Sequence, residues 1–255
     1  MKHKLLLAAL LSGGFYMANA QSKPEDTEKW EPVPPVVTPG KTCGDAPSDA
    51  TVLFDGKNGL SEWEDVNSGG DAKWDVNGDV LTVNKKSGNI QTKKKFGNYQ
   101  LHIEWKVPAN ITGEGQGRGN SGVFLASIGK GDDGYELQVL DSYKNKTYTN
   151  GMAGSIYKQF IPLANPTRPP GVWNVYDVIW TAPTFDGDEV KTPARVTVIF
   201  NGVVVENNVE LLGPTQYIGT PGYRKPHGPS PIKLQAHGDK SEPLSFRNIW
   251  VRDLK

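Results

Sequence analysis

From residue 51 to the end, apolar and polar residues alternate with a period of two, in short runs broken by Gly, Asn, Asp and Pro. Successive side chains of an extended strand point to opposite faces, so these runs predict strands with one buried face. Strands are predicted at 51–54, 99–107, 123–127, 136–141, 175–181, 232–237 and 246–252. Two further pairs of runs, 74–76 with 80–83 and 196–200 with 203–205, flank Asn77-Gly78-Asp79 and Asn201-Gly202. Asn-Gly at such a junction predicts a hairpin, because a type I′ turn needs positive φ at both central residues. No stretch holds a helical period for three turns. Many short strands with 29 Gly and 19 Pro predict an all-β fold, a jelly-roll sandwich of two antiparallel sheets with a concave ligand face.

The phase of the alternation places the side chains. Glu136 and Gln138 share a face opposite Leu137 and Val139, and Gln235 and His237 oppose Leu234 and Ala236. His102, Glu104 and Lys106 likewise oppose Leu101, Ile103 and Trp105. Together these strands supply the carboxylate, amide and imidazole groups that a pocket for a hydroxyl-rich ligand would use. Gly119-Asn120-Ser121-Gly122 feeds the strand at 123–127 and puts Asn120 at the rim of that pocket. The Gly-rich stretch 113–117 lacks the strand-to-helix setting of a phosphate loop and reads as a mobile rim.

Composition narrows the partners. The 255 residues, 36% hydrophobic and 22% charged, fit one globular domain or two small ones. Lys plus Arg equals Asp plus Glu at 28 each, so no net field favours nucleic acid or an anionic membrane, and a neutral small ligand is expected. Met1-Lys2-His3-Lys4, the apolar run 5–11 and Ala18-Asn19-Ala20 have the form of a signal peptide over 1–20. The mature chain is then expected to be exported, periplasmic or extracellular. No run approaches the ~18 apolar residues of a membrane span. Residues 21–50, around Glu31-Pro32-Val33-Pro34-Pro35, read as a Pro-rich linker or arm ahead of a domain at 51–255.

Several chemistries are set aside. Cys43 has no partner for an internal disulfide and no flanking context that would activate its thiol. There is no Gly-x-Ser-x-Gly elbow, phosphate loop, His-Glu-x-x-His pair or Cys cluster. The sequence requires no cofactor. Asp132-Asp133 and residues 186–189 could lend oxygens to a calcium ion, but exposed acidic loops account for them equally well. Asn110-Ile111-Thr112 and Asn145-Lys146-Thr147 match the glycan-acceptor pattern.

Seven blocks occur in order: Leu53-Phe54-Asp55-Gly56-Lys57-Asn58, Gly119-Asn120-Ser121-Gly122, Tyr135-Glu136-Leu137-Gln138-Val139, Gly154-Ser155-Ile156-Tyr157, Trp173-Asn174, Leu234-Gln235-Ala236-His237-Gly238 and Phe246-Arg247-Asn248-Ile249. Together they resemble the 3-keto-disaccharide hydrolase domain family over roughly residues 50 to 255. The resemblance implies a concanavalin-like jelly roll and cleavage of glycosides whose sugar carries a ketone at carbon 3. Such a ketone acidifies the hydrogen on carbon 2, so that a base can start elimination of the glycosidic oxygen, with hydrolase or lyase outcome. On this resemblance Glu136 and His237 are the expected proton-transfer groups, in an order left open. Arg118, Asn120, Gln138 and Gln235 are expected to bind hydroxyls or polarise the ketone, and Tyr157 to donate to the leaving oxygen. Thr167-Arg168-Pro169-Pro170-Gly171 and Tyr223-Arg224-Lys225-Pro226-His227 resemble an elaborated, longer-loop subgroup, in which these loops reshape the substrate end and His227 joins the pocket. Two other readings stand: a two-carboxylate glycoside hydrolase with Glu104 as the partner of Glu136, and a carbohydrate-binding module without turnover.

Overall fold

The computed structural model describes Lys23 and residues 27–254, so the leader expected at 1–20 lies outside the described residues. The chain divides after Val36 into two units. Residues 27–36 of the first are exposed and hold no strand, and every strand belongs to the second. Among the described residues no helix is long and apolar enough to cross a membrane.

The strands are β1 (Thr51–Phe54), β2 (Trp63–Asp65), β3 (Asp75–Asn77), β4 (Val80–Thr82), β5 (Ile90–Thr92), β6 (Tyr99–Lys106), β7 (Ser121–Ser127), β8 (Gly134–Val139), β9 (Asn174–Thr181), β10 (Thr184–Asp186), β11 (Glu189–Thr192), β12 (Arg195–Phe200), β13 (Val203–Glu210), β14 (Lys233–Leu234) and β15 (Ser245–Asp253). The larger sheet runs β13-β12-β9-β6-β15-β4-β3, with β1 paired to β15. The smaller runs β2-β5-β14-β7-β8, and β10-β11 form a separate hairpin. Every pairing is antiparallel, which gives the expected all-β jelly-roll sandwich.

The alternation fills the space between the sheets. Tyr99, Leu101, Ile103 and Trp105 of β6 and Tyr135, Leu137 and Val139 of β8 all join one core. Two phenols cross it: Tyr99 donates to the Leu125 carbonyl at 2.6 Å and Tyr176 to the Gln138 carbonyl at 2.8 Å. A buried hydroxyl without a partner costs about 1–3 kcal/mol, so these bonds set how the sheets sit on one another.

The hairpins differ in detail from expectation. Asn201 and Gly202 both have positive φ, 51° and 82°, as a type I′ turn requires. At the β3–β4 turn only Gly78 does, with φ 60°, so the turn is centred on Gly78-Asp79 with Gly first. The strand expected at 232–237 shortens to two residues, while β2, β5 and the β10–β11 hairpin carried too few alternating positions to be predicted.

Candidate functional site

Three neighbouring strands of the smaller sheet build the site. In the β7–β8 register Gly122 faces Gln138 and Phe124 faces Glu136, and in the β14–β7 register Lys233 faces Phe124. Past β14 the chain stays in line, because Gln235 N donates to the Gly122 carbonyl at 3.0 Å and Ala236 N to Asn89 Oδ1 at 2.8 Å. One row across the outer face therefore reads Gln138, Gly122, Gln235, and the next Glu136, Phe124, Lys233. Along the free edge of β8, Tyr157 N donates to the Glu136 carbonyl and Glu136 N to Thr215 Oγ1. That places two loop residues beside the carboxyl. A pocket of about 150 Å³ results, lined by the predicted Asn120, Glu136, Gln138, Tyr157, Gln235 and His237 and by the unpredicted Asp132, Thr215 and Tyr217.

The amides reveal what the pocket lacks. The Gln116 carbonyl can only accept, and Asn120 Nδ2 donates to it at 2.9 Å. Asn120 therefore turns Oδ1 to Gln138, whose Nε2 donates to it at 3.1 Å. This leaves Gln138 Oε1 buried without a partner, and Gln235 Oε1 is in the same condition. Buried acceptors without donors cost free energy. Two of them in one small pocket are open to hydroxyl or N–H groups of a ligand.

Glu136 is 6% exposed. Burial, with the charge of Asp132 adding to it and Lys233 opposing it, pushes its carboxyl up to about 8, so at neutral pH it is mostly protonated. Gly122 makes room for it, since a Cβ there would sit 2.5 Å from Glu136 Oε1. Lys233 lies behind this row, its ammonium donating to the carbonyls of Gly129, Gly131 and Asp133 at 3.1, 2.8 and 2.8 Å. It pins the turn that presents Asp132, which is itself held by Asn89 Nδ2 at 2.8 Å. The 233/235/237 alternation already aligned Lys233 with Gln235 and His237, and that signal could have found it.

His237 has a carboxylate behind it. Its Nδ1 lies 3.0 Å from Asp239 Oδ2. Burial would raise the Asp239 carboxyl, but His237, Ser241 and Lys85 outweigh it and hold Asp239 well below the usual range. The Asp239 backbone N also lies 3.2 Å from Nδ1, so Asp239 engages that nitrogen from two directions and Nε2 is the ring nitrogen left to meet a ligand. At the rim, the Tyr157 and Tyr148 hydroxyls are 2.6 Å apart. Burial keeps the Tyr157 hydroxyl far above its ordinary value, so it stays neutral and can donate a hydrogen bond.

Other expected members lie elsewhere. Arg118 is tied to Asp141 at 2.5 Å and does not line the pocket. His227 is likewise outside it, with Nε2 2.9 Å from the Tyr135 hydroxyl and its ring against Phe185. His102 and Glu104 belong to the larger sheet, so they cannot join Glu136, and Lys106 stacks over Trp173 there. Arg168, from the first of the two long loops, shares their groove with Cys43 and Gly44, on the sheet opposite the pocket. The 113–117 loop is tied down, Gly115 N bonding Asn145 Oδ1 and Gln116 Nε2 bonding Thr147 Oγ1 and the Gly151 carbonyl. Asn145 Nδ2 is engaged with the Gly115 and Asp141 carbonyls. Among the described residues no group of three or more His, Cys, Asp or Glu is placed to hold a metal ion.

The chain is 59% identical to a candidate glycosyl hydrolase of Parabacteroides distasonis ATCC 8503 known from a crystal structure, with 92% of this chain and 98% of that one covered and a TM-score of 0.85. A second candidate glycosyl hydrolase from the same organism is 22% identical, covers 81% of this chain and 94% of its own, and has a TM-score of 0.56, a likeness of fold. No curated protein matches. Residues 49–252 match the 3-keto-alpha-glucoside-1,2-lyase-like domain, and the chain belongs to that family.

Proposed function

We propose that this protein is a glycan-processing enzyme that cleaves glycosides oxidised at carbon 3, by elimination of the glycosidic oxygen. The observation that carries the reading is a buried Glu136 and an Asp239-backed His237 lining one pocket, beside two glutamine acceptors that lack donors. Sugar hydroxyls supply those donors. His237 Nε2 takes the hydrogen from carbon 2, and the electron pair moves onto the carbon 3 oxygen as an enolate. The Gln235 amide and the Tyr157 hydroxyl are the donors offered to that oxygen. When the ketone re-forms, a double bond forms between carbons 1 and 2 and the bond from carbon 1 to the glycosidic oxygen breaks. Glu136 gives its proton to that oxygen. Release of the enone at this stage makes the reaction a lyase, and addition of water across the new double bond makes it a hydrolase.

The test is incubation with matched 3-keto-glucosides and unoxidised glucosides, with products followed by mass. We expect cleavage of the keto forms alone, and E136Q and H237A to lower it by about 10²- to 10⁴-fold. Near-normal turnover in either variant removes that residue from the scheme. Asp132 supports a second reading, a two-carboxylate hydrolase, because it lines the pocket with Glu136 and raises its carboxyl. Cleavage of unoxidised glycosides that is lost in D132N would establish that reading instead.

A further inference from the structure

The pocket, at about 150 Å³, is well below the roughly 300 Å³ where sites for drug-sized ligands begin. That is room for about one sugar ring, which leaves the rim for the leaving group. There Tyr217 keeps 73% of its surface exposed, next to Ile218 at 82%. Tyr217 is nonetheless built in. Lys158 places its ammonium 4.2 Å from the ring centroid and donates to the Tyr217 carbonyl at 2.6 Å. Lys158 does this from a left-handed backbone conformation, φ 58°, which long side chains rarely adopt. Its ammonium also lies 5.7 Å from the Tyr157 centroid, which joins the platform to the pocket wall.

A cation on one face draws electron density from the ring. The open face is then less negative, which weakens contacts from sugar C–H groups and favours an electron-rich aromatic ring. Resting on the reading of the pocket as a keto-sugar site, we propose that Tyr217, backed by Lys158, is a stacking platform for an aromatic leaving group.

The experiment compares phenyl and methyl 3-keto-glucosides, both anomers, and a 3-keto-disaccharide with the full chain, by kcat/KM. Calorimetry measures binding of the unoxidised phenyl and methyl glucosides in parallel. By calorimetry the wild type should prefer phenyl to methyl by about tenfold, the upper range of an aromatic stacking pair, and kcat/KM adds the advantage of phenol as a leaving group. Y217F should retain both ratios, whereas Y217A should abolish the calorimetric one and lower the kinetic one about tenfold. A ratio unchanged in Y217A, or a disaccharide preferred to the phenyl compound, overturns the platform. Should the wild type turn over none of these, the catalytic reading fails, while the calorimetric ratio still decides the platform.

Discussion

The two outer faces of the sandwich carry nearly the same chemistry and put it to opposite uses. On the larger sheet, His102 stacks on Trp250 and lies between Asp177, 2.7 Å from Nδ1, and Glu104, 3.6 Å from Nε2. Arg247 and Asn248 bond the two oxygens of Glu104 at 2.7 and 3.0 Å. Gly44 closes the cluster, its carbonyl accepting from Asn248 and Trp250. Burial opposes charge on His102, yet Asp177 and Glu104 raise it to about 9. Burial would also raise Glu104, but His102, Asn248 and Arg247 bring it down to about 2. Every charge in that cluster has an opposite. On the smaller sheet Glu136 is pushed the other way and two amide oxygens have no donor. Compensated polar groups under a covering segment are architecture, and uncompensated ones around a pocket are where function is sought.

The sharpest test swaps which face is damaged. E136Q should remove about 10²- to 10⁴-fold of turnover while urea unfolding at pH 4.5 changes little. E104Q, which breaks a buried charged network, should cost about 3 kcal/mol in urea unfolding and leave kcat/KM within about twofold. If E104Q instead abolishes turnover with stability intact, the assignment of the faces is wrong. G122A is a smaller lesion aimed at one atom. The added Cβ displaces the Glu136 carboxyl, the mobile end of its side chain, so turnover should fall about 100-fold with a midpoint close to wild type.

The remaining effects are in pH. His102, with a raised value, stabilises the fold fully below 6.5 and loses that contribution as pH climbs through about 9. Glu104, with a lowered value, contributes above 4.5 and loses it as pH falls through about 2. Glu136 is raised without compensation, so its contribution is full below 4.5 and lost as pH rises through about 8. The melting temperature of E136Q should therefore gain on wild type between pH 4.5 and 8, whereas E104Q should show a constant deficit from pH 4.5 to 6.5. A flat difference for E136Q would mean that its carboxyl is not held protonated.

Alternation in the sequence set the side of each strand, which is why Glu136, Gln138, Gln235 and His237 were legible as one face. It could not tell which sheet a strand joins. His102 and Glu104 have the same phase as Glu136, but β6 pairs with β9 and β15, far away along the chain. Those pairings rest on long-range packing that a local period does not encode. Thr215 and Tyr217 reach the pocket from a loop with no period at all, held by single bonds such as Thr215 N to the Gly134 carbonyl. Arg118 and His227 were expected at the site on the family resemblance alone, and the structure bonds them to Asp141 and Tyr135 outside the pocket lining.

The two phenols that cross the core have a mechanical consequence. Tyr176 anchors the Gln138 backbone, in the floor of the pocket, to the opposite layer, and Tyr99 does the same for β7. Any shear of one layer over the other strains both bonds at once, so the floor of the pocket moves with the core beneath it. The loop carrying Thr215 and Tyr217 has no such tie across the core, and the two walls of the pocket therefore differ in how firmly they are held.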